Sequence, residues 1–221
     1  MRLLALDTSS AAITAALHDG TAILATATEI GAQAHGELLA PTIERVLREA
    51  GVAVGELTHV VAGVGPGPFT GLRVGLVTAR VMAEALGIPA YGVCSLDAVA
   101  AEALATGTVE GPFAVATDAR RKEVYLAAYD GAGRRLGEPD VVRPGDVDPA
   151  LAAGPVVGAG AWLYTDTFID PREPRLVSAA SLAAVAVSRL AAGEELLGTA
   201  PMYLRRPDAV ESHAPKRVTQ P

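Results

Sequence analysis

One plan is written twice along these 221 residues. Leu3-Leu4-Ala5-Leu6 runs into Asp7, Ala12 to Leu17 forms a second apolar run, and Asp19-Gly20 follows. Phe113-Ala114-Val115-Ala116 then leads to Asp118, Val124 to Tyr129 follows, and Asp130-Gly131 closes the set. Each pair of aspartates stands 12 positions apart, and the second plan begins 111 positions after the first, about half the chain. Short apolar runs with polar breaks and Asp-Gly turns predict two β-hairpins. Matched spacing at a half-length offset predicts a duplicated fold with two similar halves.

The rest of the first half extends the pattern. Glu37 to Ala50 carries Leu39, Ile43, Val46, Leu47 and Ala50 at helical spacing, with Gly51 as a stop signal and Pro41 within the first turns. His59 to Gly63 reads as a buried strand and Leu72 to Leu86 as a second helix ended by Gly87 and Pro89. Tyr91 to Val93 reads as a strand, and Ser95 to Leu104 as a helix with Ser95 at its N-cap. The order is β-β-β-α-β-α-β-α. Repeated, it resembles the actin, hexokinase and heat-shock ATPase superfold, an α/β, ribonuclease H-like duplication. Residues 132–157 are rich in Gly, Pro and Asp and read as loops with short strands, so the second half is degenerate. A further helix is expected over Ser181 to Ala192. The expected lobes are 1–106 and 107–206, with an irregular tail over 207–221.

Half the residues are hydrophobic and 19% are charged, the composition of a folded globular chain. The net charge of −7 opposes independent binding of nucleic acid, because such a protein must neutralise phosphates. Arg120-Arg121-Lys122, Arg134-Arg135 and Arg205-Arg206 are short basic clusters that read as solvated turns and loop ends. The lone Cys94 rules out a disulfide within the chain and fits a reducing cytoplasm. The apolar start reaches Asp7 too early for a signal-peptide core or a membrane span, so the expected location is cytoplasmic.

The strongest local signal is Gly65-Pro66-Gly67-Pro68-Phe69-Thr70-Gly71-Leu72-Arg73-Val74-Gly75. It is not a Walker loop, because no lysine follows the glycines, and Thr70 stands where a dinucleotide fingerprint needs its third glycine. Two readings fit: a strand-to-helix turn capped by Thr70, or a backbone cradle for an anion. Leu6-Asp7-Thr8-Ser9, Asp118-Ala119-Arg120 with Glu123-Val124-Tyr125, and Pro201-Met202-Tyr203-Leu204-Arg205 complete a set scattered over nearly the whole chain. Together with the Gly-Pro-Gly loop they resemble the TsaB (YeaZ) family. That resemblance implies a non-catalytic subunit of the complex that adds threonylcarbamoyl to adenosine beside the tRNA anticodon. The implied partners are a TsaD-like paralogue and a TsaE-like ATPase, with a homodimer when the chain is alone and contact with tRNA only indirectly. No cofactor is implied for the chain itself, although ATP or ADP could lie at the complex interface.

Gly71, Gly75, Ala79 and Ala83 recur every fourth residue and form a stripe without bulk, which admits close approach of another backbone. Each helical glycine costs about 1 kcal/mol against alanine, so some contact must offset it. The stripe could pack on its own sheet or on another subunit. The family resemblance implies the second, with pairing through the first two helices: Leu39, Ile43 and Val46 on one, Gly71, Arg73, Gly75, Thr78, Ala79 and Met82 on the other.

Catalytic groups are missing from the pattern. The resemblance places Ser95 and Val99 where the paralogue TsaD carries a His-x-x-x-His pair, and neither can replace an imidazole at a metal. Cys94 has no histidine near it in sequence and reads as a small core residue, and no Gly-x-Ser-x-Gly elbow is present. Asp7, Thr8 and Ser9 form the one nucleotide-binding candidate, since acidic hairpins hold metal–nucleotide in phosphotransferases of this superfold. The second hairpin departs from that pattern with Arg120-Arg121-Lys122. The competing reading is an independent phosphotransferase or peptidase of the same superfold.

Overall fold

The computed structural model describes residues 1–31 and 34–205. Arg206 and the tail expected over 207–221 lie outside the described residues.

The first half contains β1 (Leu3–Asp7), β2 (Ala12–His18), β3 (Ile23–Ile30), α1 (His35–Ala50), β4 (His59–Gly63), α2 (Phe69–Leu86), β5 (Ala90–Val93) and α3 (Ser95–Ala105). The second contains β6 (Phe113–Arg120), β7 (Glu123–Tyr129), β8 (Asp140–Val142), α4 (Pro149–Ala152), β9 (Pro155–Val157), α5 (Ala159–Leu163), β10 (Asp170–Arg172) and α6 (Ala179–Ala191). Strand order is β3-β2-β1-β4-β5 in one sheet and β8-β7-β6-β9-β10 in the other, so the repeat is complete in topology. Each sheet joins two antiparallel pairs to two parallel ones across β1 and β6. This is the duplicated actin/hexokinase-like α/β fold. What degenerates in the second half is helix length: α4 and α5 have only 4 and 5 residues.

Alternation along the strands sets the layers. Leu4 and Leu6 of β1 join a core with α1 and α2, while Leu3 and Ala5 point to the opposite face. That opposite core also takes Val115, Tyr125 and Ala127 from the second sheet, and it is filled by α3 and α6. Both helices therefore lie between the sheets, α3 against β6 and α6 against β1 and β2. Each half lends its last helix to the other. The outer face of the second sheet is covered by a smaller cluster around Phe168 and Ala161.

Several local expectations are corrected. α1 starts two residues earlier than its apolar stripe, at His35, and α2 starts at Phe69. Pro68 occupies the N-cap of α2, so Thr70 lies inside the helix and does not cap it. Cys94 occupies the N-cap of α3, and Ser95 is the first helical residue. Gly51 and Gly87 end α1 and α2 in the left-handed conformation at φ 64° and 65°, as glycine permits without strain. Among the described residues no helix is long and apolar enough to cross a membrane.

Candidate functional site

The β1–β2 hairpin and the Gly-Pro-Gly loop meet at Asp7. Its carboxylate is buried. Oδ1 accepts the Ser9 backbone N–H and the Ser9 hydroxyl, both at 2.7 Å. Oδ2 accepts the Ser95 hydroxyl at 2.6 Å. The same Ser95 oxygen accepts the Gly65 N–H at 3.2 Å. A Cβ on Gly63 would stand 1.7 Å from Asp7 Oδ2, so only glycine leaves room for the carboxylate. Burial pushes the Asp7 carboxyl above its usual range, and the bonds from Ser95 and Ser9 pull it back in part.

Thr8 is used in another way. Its hydroxyl donates to the Gly71 carbonyl at 2.7 Å and accepts the Gly75 N–H at 3.0 Å. In a helix those two backbone groups would bond each other, so Thr8 stands in the first turns of α2 as part of the ladder. A Cβ on Gly71 would lie 2.7 Å from the Thr8 carbonyl oxygen, and one on Gly75 would lie 2.5 Å from Oγ1. A Cβ on Gly67 would likewise lie 2.4 Å from the Ser9 carbonyl oxygen. His35, buried at the start of α1, reaches the Ser10 carbonyl through Nε2 at 2.8 Å. The polar side chains of the nucleotide candidates Asp7, Thr8 and Ser9 are thus engaged by one another, by α2 and by α3.

The second hairpin keeps half of this design. Asp118 Oδ1 accepts the Arg120 N–H at 2.7 Å, the counterpart of the Asp7–Ser9 bond. The repeat offset places Ala119, Arg120 and Arg121 where the first hairpin has Thr8, Ser9 and Ser10. Cations replace hydroxyls, and Asp118 pairs with the Arg120 side chain at 3.2 Å.

The stripe of small residues faces inward. Gly71, Gly75, Ala79 and Ala83 are all buried against the chain's own hairpin and sheet, which corrects their expected place on a partner surface. Leu39, Ile43 and Val46 are likewise buried in the core beneath α1. Of the other expected partner residues, Thr78 and Met82 are half-buried and Arg73 is exposed. The outward face of α2 instead presents Phe69, Val77 and Val81, between 52% and 58% exposed. Arg73 lies over the Phe69 ring at 3.5 Å and donates to the Tyr203 hydroxyl at 2.9 Å. Residues 196–205 form a strap along this region. Leu197 and Met202 bond Gly92 and Val64 through backbone, and Arg205 bonds Glu123 and the Ala119 carbonyl in the other half.

One cluster escaped sequence reading. Asp97 in α3 accepts Tyr129 at 2.9 Å, Arg135 at 2.7 Å and Arg189 at 3.0 Å. Arg135 and Arg205, expected as solvated cations, are ion-paired to carboxylates. No short-range signal joins them, because their partners stand 38 and 82 positions away. Ser95 and Val99 are fully buried at the positions aligned with the paralogue's histidines. Among the described residues, no three His, Cys, Asp or Glu side chains are grouped to hold a metal.

A duplicated fold whose first-hairpin aspartate is enclosed by its own hydroxyl donors defines the class: a modified member of the actin/hexokinase superfold. Comparison with known proteins narrows it. The family model described as TsaD, tRNA N6-adenosine threonylcarbamoyltransferase, matches residues 26–158. The solved structure of YeaZ from Pseudomonas aeruginosa is 33% identical with a TM-score of 0.79, over 92% of this chain and 99% of that one. The chain belongs to the TsaB (YeaZ) family. An uncharacterized protein of Mycobacterium tuberculosis is 42% identical over 94% of this chain and 93% of its own length. The TsaB protein of Escherichia coli, named for tRNA threonylcarbamoyladenosine biosynthesis, is 34% identical over 58% of this chain and 55% of its own length.

Proposed function

We propose that this chain is the non-catalytic subunit of the complex that adds threonylcarbamoyl to the adenosine beside the tRNA anticodon. In this reading it heterodimerises with a TsaD-like paralogue, helps recruit a TsaE-like ATPase in the cytoplasm, and pairs with a second copy of itself when the paralogue is absent. The observation that supports it is the outward face of α2, where Phe69, Val77 and Val81 are exposed in a chain of the TsaB family. Burying the exposed half of each such side chain contributes about 1 kcal/mol toward docking a partner helix. The docking residues are then Val77, Thr78 and Val81, while Arg73 turns to Phe69 and Tyr203 beside the strap. The inward stripe has another task, because it admits Thr8 into α2.

The hairpin argues against an independent phosphotransferase. A metal–nucleotide needs carboxylate lone pairs facing solvent, whereas the Asp7 oxygens accept three protein hydrogen bonds in a buried site. The test is incorporation of labelled threonine into an unmodified tRNA transcript with the paralogue, the ATPase and this chain. Product should require this chain and be absent when it acts alone. Product formed by this chain alone would contradict the reading.

A further inference from the structure

The β6–β7 turn is built from the wrong residues for its shape. Arg120 faces Glu123 across the hairpin, leaving Arg121 and Lys122 as a two-residue connection. Arg120, Arg121 and Lys122 have φ of 62°, 54° and 61°. A two-residue connection with positive φ at both positions is the turn that selects Asn-Gly. Side chains with a Cβ pay about 1–2 kcal/mol per residue in the left-handed region. Three consecutive long cations occupy it here, all exposed. Strain of this kind persists where the surrounding structure over-determines it, and it clusters at functional sites.

The fold surrounds that turn with further cations and rings. A cleft of about 610 Å³ opens between the turn, the start of α2 and the strap. Arg73, Arg120, Arg121 and Arg205 line it, Arg120 paired with Asp118 and Arg205 with Glu123, each with guanidinium N–H donors beyond the one in its pair. Phe69 and Tyr203, 52% and 42% exposed, stack at 5.2 Å along its rim. These residues are dispersed from position 69 to 205 and converge only in the folded chain, against a net charge of −7. Guanidinium groups beside exposed aromatic faces are the chemistry of RNA contact: cations neutralise phosphates, and the rings accept unstacked bases.

We infer that this cationic turn and cleft form a contact surface for RNA. The inference rests on the proposed function and departs from its expectation that tRNA reaches this subunit only indirectly.

The test replaces the turn with residues that fit its backbone: Arg120→Asn, Arg121→Asn and Lys122→Gly together, in the full chain. Relief of the left-handed strain should raise Tm, so loss of folding does not cloud the result. Affinity for tRNA is measured by fluorescence anisotropy against salt, with the paralogue present and absent, and light scattering records pairing. The expected result is unchanged pairing, roughly tenfold or greater loss of tRNA affinity near 0.1 M salt, and a log–log salt slope flatter by about 2. Unchanged affinity and slope would overturn the inference. So would loss of pairing and tRNA binding together, which would make the turn a protein contact, or displacement of tRNA by polyglutamate at equal charge. Failure of the wild-type chain to pair would instead count against the proposed function, and anisotropy on the isolated chain would still decide the RNA surface.

Discussion

The hydroxyl of Ser95 donates to the buried carboxylate of Asp7 at 2.6 Å, joining the start of α3 to the end of β1 across 88 positions. The same oxygen receives the Gly65 N–H, so one serine links β1, the Gly-Pro-Gly loop and the helix between the sheets.

Ser95→Ala should therefore destabilise the protein by about 1–3 kcal/mol, since a buried carboxyl loses a hydrogen-bond partner and a buried N–H loses its acceptor. Urea unfolding measures this. The pH dependence has a defined sign. Burial raises the Asp7 carboxyl in the folded state. Its contribution to stability is thus full below the unfolded carboxylate value near about 4 and is lost as pH rises through the folded value. Ser95 favours the ionised form, so the deficit of Ser95→Ala should be smallest below the folded value of Asp7 and grow as pH rises through it. A deficit independent of pH would remove Asp7 from this account.

Thr8 and Gly75 should show strong coupling. Gly75→Ala gains about 1 kcal/mol of helix propensity but places Cβ 2.5 Å from Thr8 Oγ1. Overpacking against a fixed group costs about 1–3 kcal/mol, so the single substitution should be net destabilising. In a Thr8→Ala background the same change should become neutral or stabilising. A double-mutant cycle by denaturant unfolding checks this, and equal effects of Gly75→Ala in both backgrounds would refute it.

Cys94 should be chemically silent in the folded chain. Burial pushes its thiol up to about 12, with Asp97 adding in the same direction. Iodoacetamide at pH 8 should leave it unmodified until denaturant is added, as mass spectrometry can follow. Rapid, stoichiometric labelling of the native protein would contradict its placement at the core end of α3.

Much of the fold was legible because its signals are local. The apolar runs of β1, β4 and β6 and the Asp-Gly turns carry their own periodicity, and the half-length offset holds down to matching aspartate-to-backbone bonds. α4 and α5 were not legible, since a helix of 4 or 5 residues has no room for a period. The stripe on α2 was legible as a need for close approach but not as to what approaches. Its partner, Thr8, lies 63 and 67 positions away, and a side chain entering a helix leaves the same glycine pattern as a second helix. Ser95 looked like a cap because serine before a helix usually is one, yet a buried carboxylate outcompetes the helix N-terminus for its hydroxyl. Arg120-Arg121-Lys122 is the exposed turn that was expected, whereas Arg135 and Arg205 find carboxylates that only the tertiary fold brings near.

The central claim is pairing with a TsaD-like paralogue through the outward face of α2. The direct measurement is size-exclusion chromatography with light scattering of this chain mixed with that paralogue, repeated with Val77→Arg and Val81→Glu together. Both side chains are more than half exposed, so the variant should keep its fold and Tm. The wild-type chain should give a mixed species at micromolar concentration, and the variant should weaken it by roughly 2 kcal/mol or more, enough to return the separate peaks. A mixed species that persists unchanged in the variant, or a wild-type chain that does not associate at all, would contradict the account.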